Sequence, residues 1–333
     1  MTNSFEPADK NSSLPPNLGN EYLNLTATSG TNTWLDKGFT WLVYSFAMIT
    51  VAVLVAMSWV IFKEAKPAIV EFGLGFFWGQ DWDTGNQIFG ALPYIYGTLV
   101  SSAIAILFAV PVGIAIALVT SENFLPLSVQ KTIAFVVELI AAIPSVIIGL
   151  WGIFIFIPAI EPLQKWLGAN FKWIPLFNSP DPVGTNILTA GIILSIMILP
   201  TMAAITRDVL LAIPKELRSA SMALGGTRWE TIFRVLLPAG FSGIVSASML
   251  ALGRALGETM AVTMVIGNSA QISASLLDPG YTIPSVLANE FAEAEPGTHI
   301  GALCYLGLIL FGLTLIVNIG AVLLVQWVGR KNN

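Results

Sequence analysis

Six stretches of this 333-residue chain are each long and apolar enough to cross a lipid bilayer, at about 39–62, 93–119, 132–158, 186–206, 239–267 and 301–328. A span needs roughly 20 apolar residues to cover the hydrocarbon core. No water reaches the backbone amides and carbonyls there, so such runs are expected to satisfy their own hydrogen bonds as α-helices. The expected fold is an all-α integral membrane protein with six transmembrane helices. Composition agrees: 55% of the residues are hydrophobic and 11% charged, whereas soluble domains carry about 25% charged residues.

The first run, FTWLVYSFAMITVAVLVAMSWVIF at 39–62, exceeds the roughly 7–15 apolar residues of a signal peptide, and no small-residue cleavage site follows it. It is expected to stay as an anchor. Residues 1–38, rich in Asn, Ser, Thr, Pro and Gly, read as a mobile tail. The first span with its following loop occupies 39–88, and the membrane core 89–330.

Orientation follows from the lysines and arginines on alternate sides of the spans. One side holds Lys10, Lys37, Lys131, Arg207, Lys215, Arg218, Arg228, Arg234, Arg330 and Lys331. The other holds Lys63, Lys66, Lys165 and Lys172. Both termini are therefore expected in the cytoplasm.

Several chemistries are excluded early. A net charge of −5 argues against a nucleic-acid partner. One cysteine, Cys304, and one histidine, His299, leave no disulfide framework, no metal-ligand cluster and no Ser-His-Asp constellation, so neither metal nor cofactor is expected. The chain has no G-x-x-x-x-G-K-[ST], no H-E-x-x-H and no G-x-S-x-G. It is read as a non-enzyme that cannot cradle ATP by itself.

Four spans contain or begin at a proline: Pro111, Pro144, Pro200 and Pro238. Proline removes a backbone donor and bends or interrupts a helix. Such breaks suit either helix shape alone or a transport pathway.

The fifth span carries Arg254 and Glu258 as the only charges between Ala239 and Asn268. Each costs about 2.5–3.5 kcal/mol at the centre of a membrane helix. As an i,i+4 pair with the base first, they would return only about 0.3–0.5 kcal/mol. Helix stability is not the reason for them. Two explanations remain: a lock to Glu138 on the third span or to another subunit, and a pathway for an oxyanion. In the second, the arginine fork meets substrate oxygens and Glu258 holds or releases that fork. Gly253 and Gly257 frame Arg254 as G-x-x-x-G, which lets a neighbouring backbone approach and suits both. Glu138 stands equally as a packing partner or a pathway residue.

Residues 213–240, IPKELRSASMALGGTRWETIFRVLLPAG, read as a helical hairpin. Pro214 suits a first turn, Gly225-Gly226 a C-terminal cap, and Thr227 with Glu230 a capping box. Leu217, Ala220 and Leu224 share one face of the first helix, flanked by Lys215 and Arg218. Amphipathicity alone suits a lipid surface or a partner protein.

The order Gly225, Val235, Leu237, Pro238 in that hairpin resembles the signature of ABC importer permeases. FGALPYIYGTLVSS (89–102), VELIAAIPSVIIGLWGIF (137–154), ALGRALGETMAVTMVIGN (251–268) and TIPSVLANEFAEA (282–294) are similar to the permease subunits of phosphate importers. The resemblance implies a type I ABC importer permease in the bacterial inner membrane. It further implies a second permease subunit, two ATPase subunits, an external phosphate-binding protein, and phosphate as cargo. Glu216, Ser219, Ala220, Leu224, Gly225 and Pro238 then belong to the ATPase-coupling hairpin. The family's Glu-Ala-Ala is replaced by Ser219-Ala220-Ser221, with Glu216 one turn earlier. Alternatives are a permease for sulfate or molybdate, a secondary anion transporter without an ATPase, and, least favoured, an intramembrane acid–base enzyme using Glu138 or Glu258. The outer loops, FFWGQDWD (76–83) and 278–299 with Asp278, Glu290, Glu293 and Glu295, would repel a free oxyanion. Delivery by a docked binding protein fits them better.

Overall fold

Pro144 decides where the third span begins. The residue before a proline is pushed out of the α region, and in the computed structural model Pro144 itself is extended (φ −58°, ψ 139°) and starts a new helix. The structure describes residues 33–179 and 182–331. The expected span 132–158 is therefore two elements. Helix α3 (Leu127–Ala141) stops short of the proline, and α4 (Ser145–Trp151) continues through one π turn, Gly152–Phe156, into α5 (Ile157–Asn170). The membrane-crossing length is Ser145–Asn170. Glu138 lies on α3 rather than on a membrane span.

The number of spans matches the sequence, while their limits move. Helix α1 is Thr33–Phe72, so residues 33–38 are helical and not tail. Residues 1–32, Lys10 included, and the side chains of Arg330 and Lys331 lie outside the described residues. The other long helices are α2 (Leu92–Ser121), α6 (Ile187–Ala212), α9 (Leu237–Gly257) and α12 (Thr298–Lys331). Shorter ones are α7 (Lys215–Ala223), α8 (Arg228–Thr231), α10 (Met260–Val265) and α11 (Ile283–Glu290). A second π turn, Ile232–Leu236, joins α8 to α9. Pro111 and Pro200 sit inside α2 and α6, and Pro238 follows directly on the π turn that runs into α9.

The chain divides into two units, Met1–Met57 and Ser58–Asn333. In the first, every side chain from Lys37 to Met57 is exposed. In the second, α2 packs along α6, and α6 along α9. Their shared core includes Ile104, Ala105, Ile193, Met202, Ala247 and Ala251. Small residues permit that closeness: a Cβ on Gly191 would stand 2.5 Å from a methyl of Ile104. A second core joins Phe76, Phe89, Tyr94, Tyr281 and the start of α12, with the rings of Phe76 and Tyr305 stacked at 4.6 Å. A third, smaller one gathers Leu118, Leu210, Ile213, Ile232 and Leu236 where α2, α6 and the π turn before α9 converge.

The polar residues buried where α5 meets α6 bond to one another, as a low dielectric favours. Asn186 caps α6 by accepting from the Thr189 amide at 2.9 Å. Its Nδ2 donates to Gln164 Oε1 at 3.0 Å and to the Val183 carbonyl at 2.7 Å. Gln164 in turn donates to Thr189 Oγ1 at 2.8 Å, tying α5 to α6.

Candidate functional site: a broken fifth helix and a capped hairpin

The greasy run 239–267 was expected to be one helix and is two. Helix α9 ends at Gly257, Glu258 is extended (φ −68°, ψ 127°), and α10 restarts at Met260. The reason is local. Gly257 is a weak helix former, and threonine hydroxyls compete for backbone groups. Thr259 donates to the Gly257 carbonyl at 3.2 Å, and Thr263 to the Thr259 carbonyl at 2.8 Å. Arg254 and Glu258 therefore do not sit one turn apart on a continuous helix.

Arg254 occupies the last turn of α9, where carbonyl dipoles favour a cation. Its side chain is exposed and Nη1 donates to Thr201 Oγ1 on α6 at 3.1 Å. Among the described residues no ion pair joins Arg254 to Glu258 or Glu138. Among the described residues the guanidinium thus keeps most of its five donors unengaged. Glu258 is half-buried at the break. Non-helical backbone at membrane depth is tolerated where it lines a cavity or is covered by protein, which places the break and the arginine together. A Cβ built on Gly253 or Gly257 meets nothing within 4 Å, so no backbone among the described residues uses their small size.

Glu138 lies elsewhere. It lines a small cleft of about 90 Å³ with Thr120 of α2 and Arg207 and Asp208 of α6. Arg207 Nε is buried there without a hydrogen-bond partner among the described residues.

The hairpin forms as its residues dictate. Pro214 precedes α7 as its N-cap. At the other end Gly225 takes φ +86°, a left-handed conformation that favours glycine. Its amide reaches the Met222 carbonyl at 3.0 Å, while the Gly226 amide reaches the Ser221 carbonyl at 3.0 Å. That is the Schellman pattern, which satisfies the last carbonyls of α7. Thr227 Oγ1 accepts from the Glu230 amide at 3.3 Å, and Glu230 Oε2 accepts from the Thr227 amide at 2.9 Å. The capping box is present. Replacing Thr227 with alanine is expected to cost about 1 kcal/mol locally and to speed amide exchange at Glu230 about fivefold.

Helix α7 buries none of its residues. Glu216, Ser219 and Ala220 are exposed, and Leu224 is 91% exposed at its end. Leu217 and Met222 are exposed as well, as is Trp229 just beyond. An apolar face left bare in this way suits a lipid surface or a partner protein. Beside it a cleft of about 160 Å³ opens between Glu122, Phe124, Arg218, Met222, Arg228 and Ile232.

Sequence reasoning missed two of the residues that shape this region. Glu122, the C-cap of α2, meets Arg218 at 2.8 Å. Thr201 holds Arg254. The partners are 96 and 53 residues apart, and no local pattern marks either pair.

The acidic segments around Asp83 and Glu290 come together. Trp82 Nε1 donates to Glu290 Oε2 at 2.9 Å, and His299 Nε2 stands 3.4 Å from the same oxygen. Trp82, Asp83, Glu290, Glu293, Glu295 and His299 surround a cleft of about 620 Å³. The side-chain and backbone N–H groups of Asn86 hold the Asp83 carboxyl below its ordinary value, and burial pushes the Tyr281 hydroxyl up.

Known proteins resemble this chain along most of its length. The family described as "Binding-protein-dependent transport system inner membrane component" matches residues 109–331. The phosphate transport system permease protein PstC of Mesorhizobium japonicum is 43% identical over 276 residues, covering 81% of this chain and 84% of that protein. PstC of Pasteurella multocida is 40% identical over 290 residues, covering 86% and 90%. The fold alone is shared with a bacterial alginate ABC transporter crystallised with an alginate pentasaccharide-bound periplasmic protein. There the identity is 17%, the TM-score 0.57, and the cover 87% of this chain and 96% of that one. Six membrane-length helices among the described residues, a helical hairpin between the fourth and fifth of them, and these matches agree: the chain belongs to the binding-protein-dependent inner membrane transport components and, among them, to the phosphate transport system permeases.

Proposed function

We propose that this chain is the membrane-spanning permease subunit of an ATP-driven bacterial importer that passes inorganic phosphate across the inner membrane. The observation that carries the reading is the 43% identity to a phosphate transport permease, sustained over 81% of the chain. The chain is a transport component, not a catalyst. ATP hydrolysis belongs to a pair of partner ATPase subunits, a second permease subunit completes the pathway, and an external phosphate-binding protein delivers the cargo. Lysine and arginine bias supports cytoplasmic termini, which puts α7 on the ATPase side and the acidic cleft outside.

In this cycle the exposed face of α7, with Glu216, Ser219, Ala220 and Leu224, sits against the ATPase. Gly225 and Pro238 fix the turns that follow. Closure of the ATPase pair tilts the pathway from inward-open to outward-open. A docked binding protein then releases phosphate, and hydrolysis resets the inward state. Arg254, at the mouth of the broken fifth helix, offers unengaged donors to the passing oxyanion, with Thr201 holding the fork between turnovers. Glu258 at the break and Glu138 beside the Arg207 cleft are the acidic members of the pathway. Gly253 and Gly257, bare within this chain, suit a seam with the second permease.

The test is uptake of labelled phosphate into proteoliposomes. The complete complex should accumulate it, omission of the ATPase or of nucleotide should reduce uptake to background, and tenfold excess sulfate or molybdate should leave it nearly unchanged. Phosphate movement by this chain with no nucleotide-hydrolysing partner would sink the proposal in favour of a secondary transporter. Strong competition by sulfate would reassign the cargo.

A further inference from the structure

Helix α7 is held to its own chain by very little. None of its residues is buried, and two residues, Ile213 and Pro214, separate it from α6. Toward α8 the side-chain tie is Ser221 Oγ donating to Thr231 Oγ1 at 2.8 Å, since Thr231 already donates to the Thr227 carbonyl. Arg218 supplies the other anchor, and all three of its guanidinium nitrogens are engaged. Nε and Nη2 donate to Glu122 Oε1 at 3.0 and 2.8 Å. Nη2 also donates to the Leu210 carbonyl at 2.8 Å, and Nη1 to the Ile213 carbonyl at 2.8 Å. Both side chains are 17% exposed, so salt screens the pair weakly.

The places where this fork lands matter. Glu122 is the C-cap of α2, its amide bonded to the Leu118 carbonyl. Leu210 and Ile213 are the end of α6. Helices α2 and α6 form the centre of the bundle. The Glu122 carbonyl also accepts from Gln130 Nε2 at 2.7 Å, which brings α3 into the same knot.

We propose that the Arg218–Glu122 pair is the joint that carries displacement of α7 into the transmembrane helices, a positioning pair for transport and not a contact with the ATPase. The inference rests on the reading of α7 as the ATPase-facing helix. With none of its residues buried, α7 passes force to the bundle through its turns, its contacts with α8 and the π turn, and above all this fork. A guanidinium suits the task because its fixed plane of donors spans one carboxylate and two carbonyls together; a lysine ammonium, a point donor, keeps the ion pair and drops the spread.

The experiment uses the complete reconstituted complex with Arg218→Gln, Arg218→Lys and Glu122→Gln. It reads ATPase co-purification, basal ATP hydrolysis, stimulation of hydrolysis by the phosphate-loaded binding protein, and phosphate uptake. Arg218→Gln and Glu122→Gln should keep the ATPase bound and basal hydrolysis near wild type, yet lose stimulation and about tenfold in uptake. Arg218→Lys should fall between them and wild type. A merely structural defect would lower hydrolysis and uptake together. Wild-type stimulation and uptake in both glutamine variants would overturn the joint, as would loss of the ATPase from Arg218→Gln with Glu122→Gln unaffected. Should Arg218→Gln fail to accumulate, Glu122→Gln and Arg218→Lys decide by the same readouts. A wild-type complex in which hydrolysis and uptake are uncoupled would instead sink the reading of α7 itself.

Discussion

Replacing Arg254 with alanine is expected to lower phosphate uptake about a hundredfold in complexes that still assemble. The estimate follows from losing charge-assisted hydrogen bonds worth about 3 kcal/mol together, with each 1.4 kcal/mol a factor of ten. The side chain is exposed and its hydrogen-bond partner among the described residues is one threonine hydroxyl, so its removal orphans no buried charge among them. The fold should survive, and the loss should appear in transport. Arg254→Lys keeps the charge and loses the planar fork, so uptake should fall about tenfold. Uptake measured alongside co-purification of the second permease separates the two explanations of this arginine. Normal uptake in the alanine variant ends the pathway role, while loss of assembly assigns Arg254 to a lock between subunits.

The largest stability effect is expected at Asn186. Its side chain makes three buried hydrogen bonds: from the Thr189 amide, to Gln164 Oε1 and to the Val183 carbonyl. Alanine removes the bond of all three partners, at about 1–3 kcal/mol for each one that stays buried, before relaxation. A net loss of about 3 kcal/mol should lower the midpoint of thermal unfolding in detergent by roughly 4 °C. Asn170 is the control. It donates to the Trp166 carbonyl at 2.8 Å from an exposed position at the end of α5, and its alanine variant should shift the midpoint by no more than a degree or two. Equal shifts would mean that exposure, and not the Asn186 network, sets the cost.

The contrast between these asparagines carries a general point. Both end or begin a helix, and nothing in their immediate neighbours distinguishes them. What differs is whether another segment covers them, and burial depends on packing between α5 and α6. The same holds for Glu138. The continuous apolar run around it reads as one span, and Pro144 ends that reading because an extended residue is forced in mid-run. The fifth span failed in a similar way. Hydrophobicity continues through Glu258, while Gly257 and the hydroxyl of Thr259 give the backbone an alternative to helix at that point.

The number of membrane-length runs and the helix caps were legible, whereas the breaks at Pro144 and Gly257 were not. Membrane-length runs follow from side-chain transfer free energy summed over about 20 residues. The capping box of Thr227 and Glu230 and the left-handed Gly225 follow from local backbone geometry. Six spans, the hairpin and its boundaries were therefore determined by the amino-acid order alone. Tertiary structure decided the rest: that Arg218 closes on Glu122 across 96 residues, and that Arg254 rests on Thr201 across 53. An ion pair or a side-chain hydrogen bond acts over a few ångströms whatever the length of chain between its members, and only the packed bundle brings those members within reach.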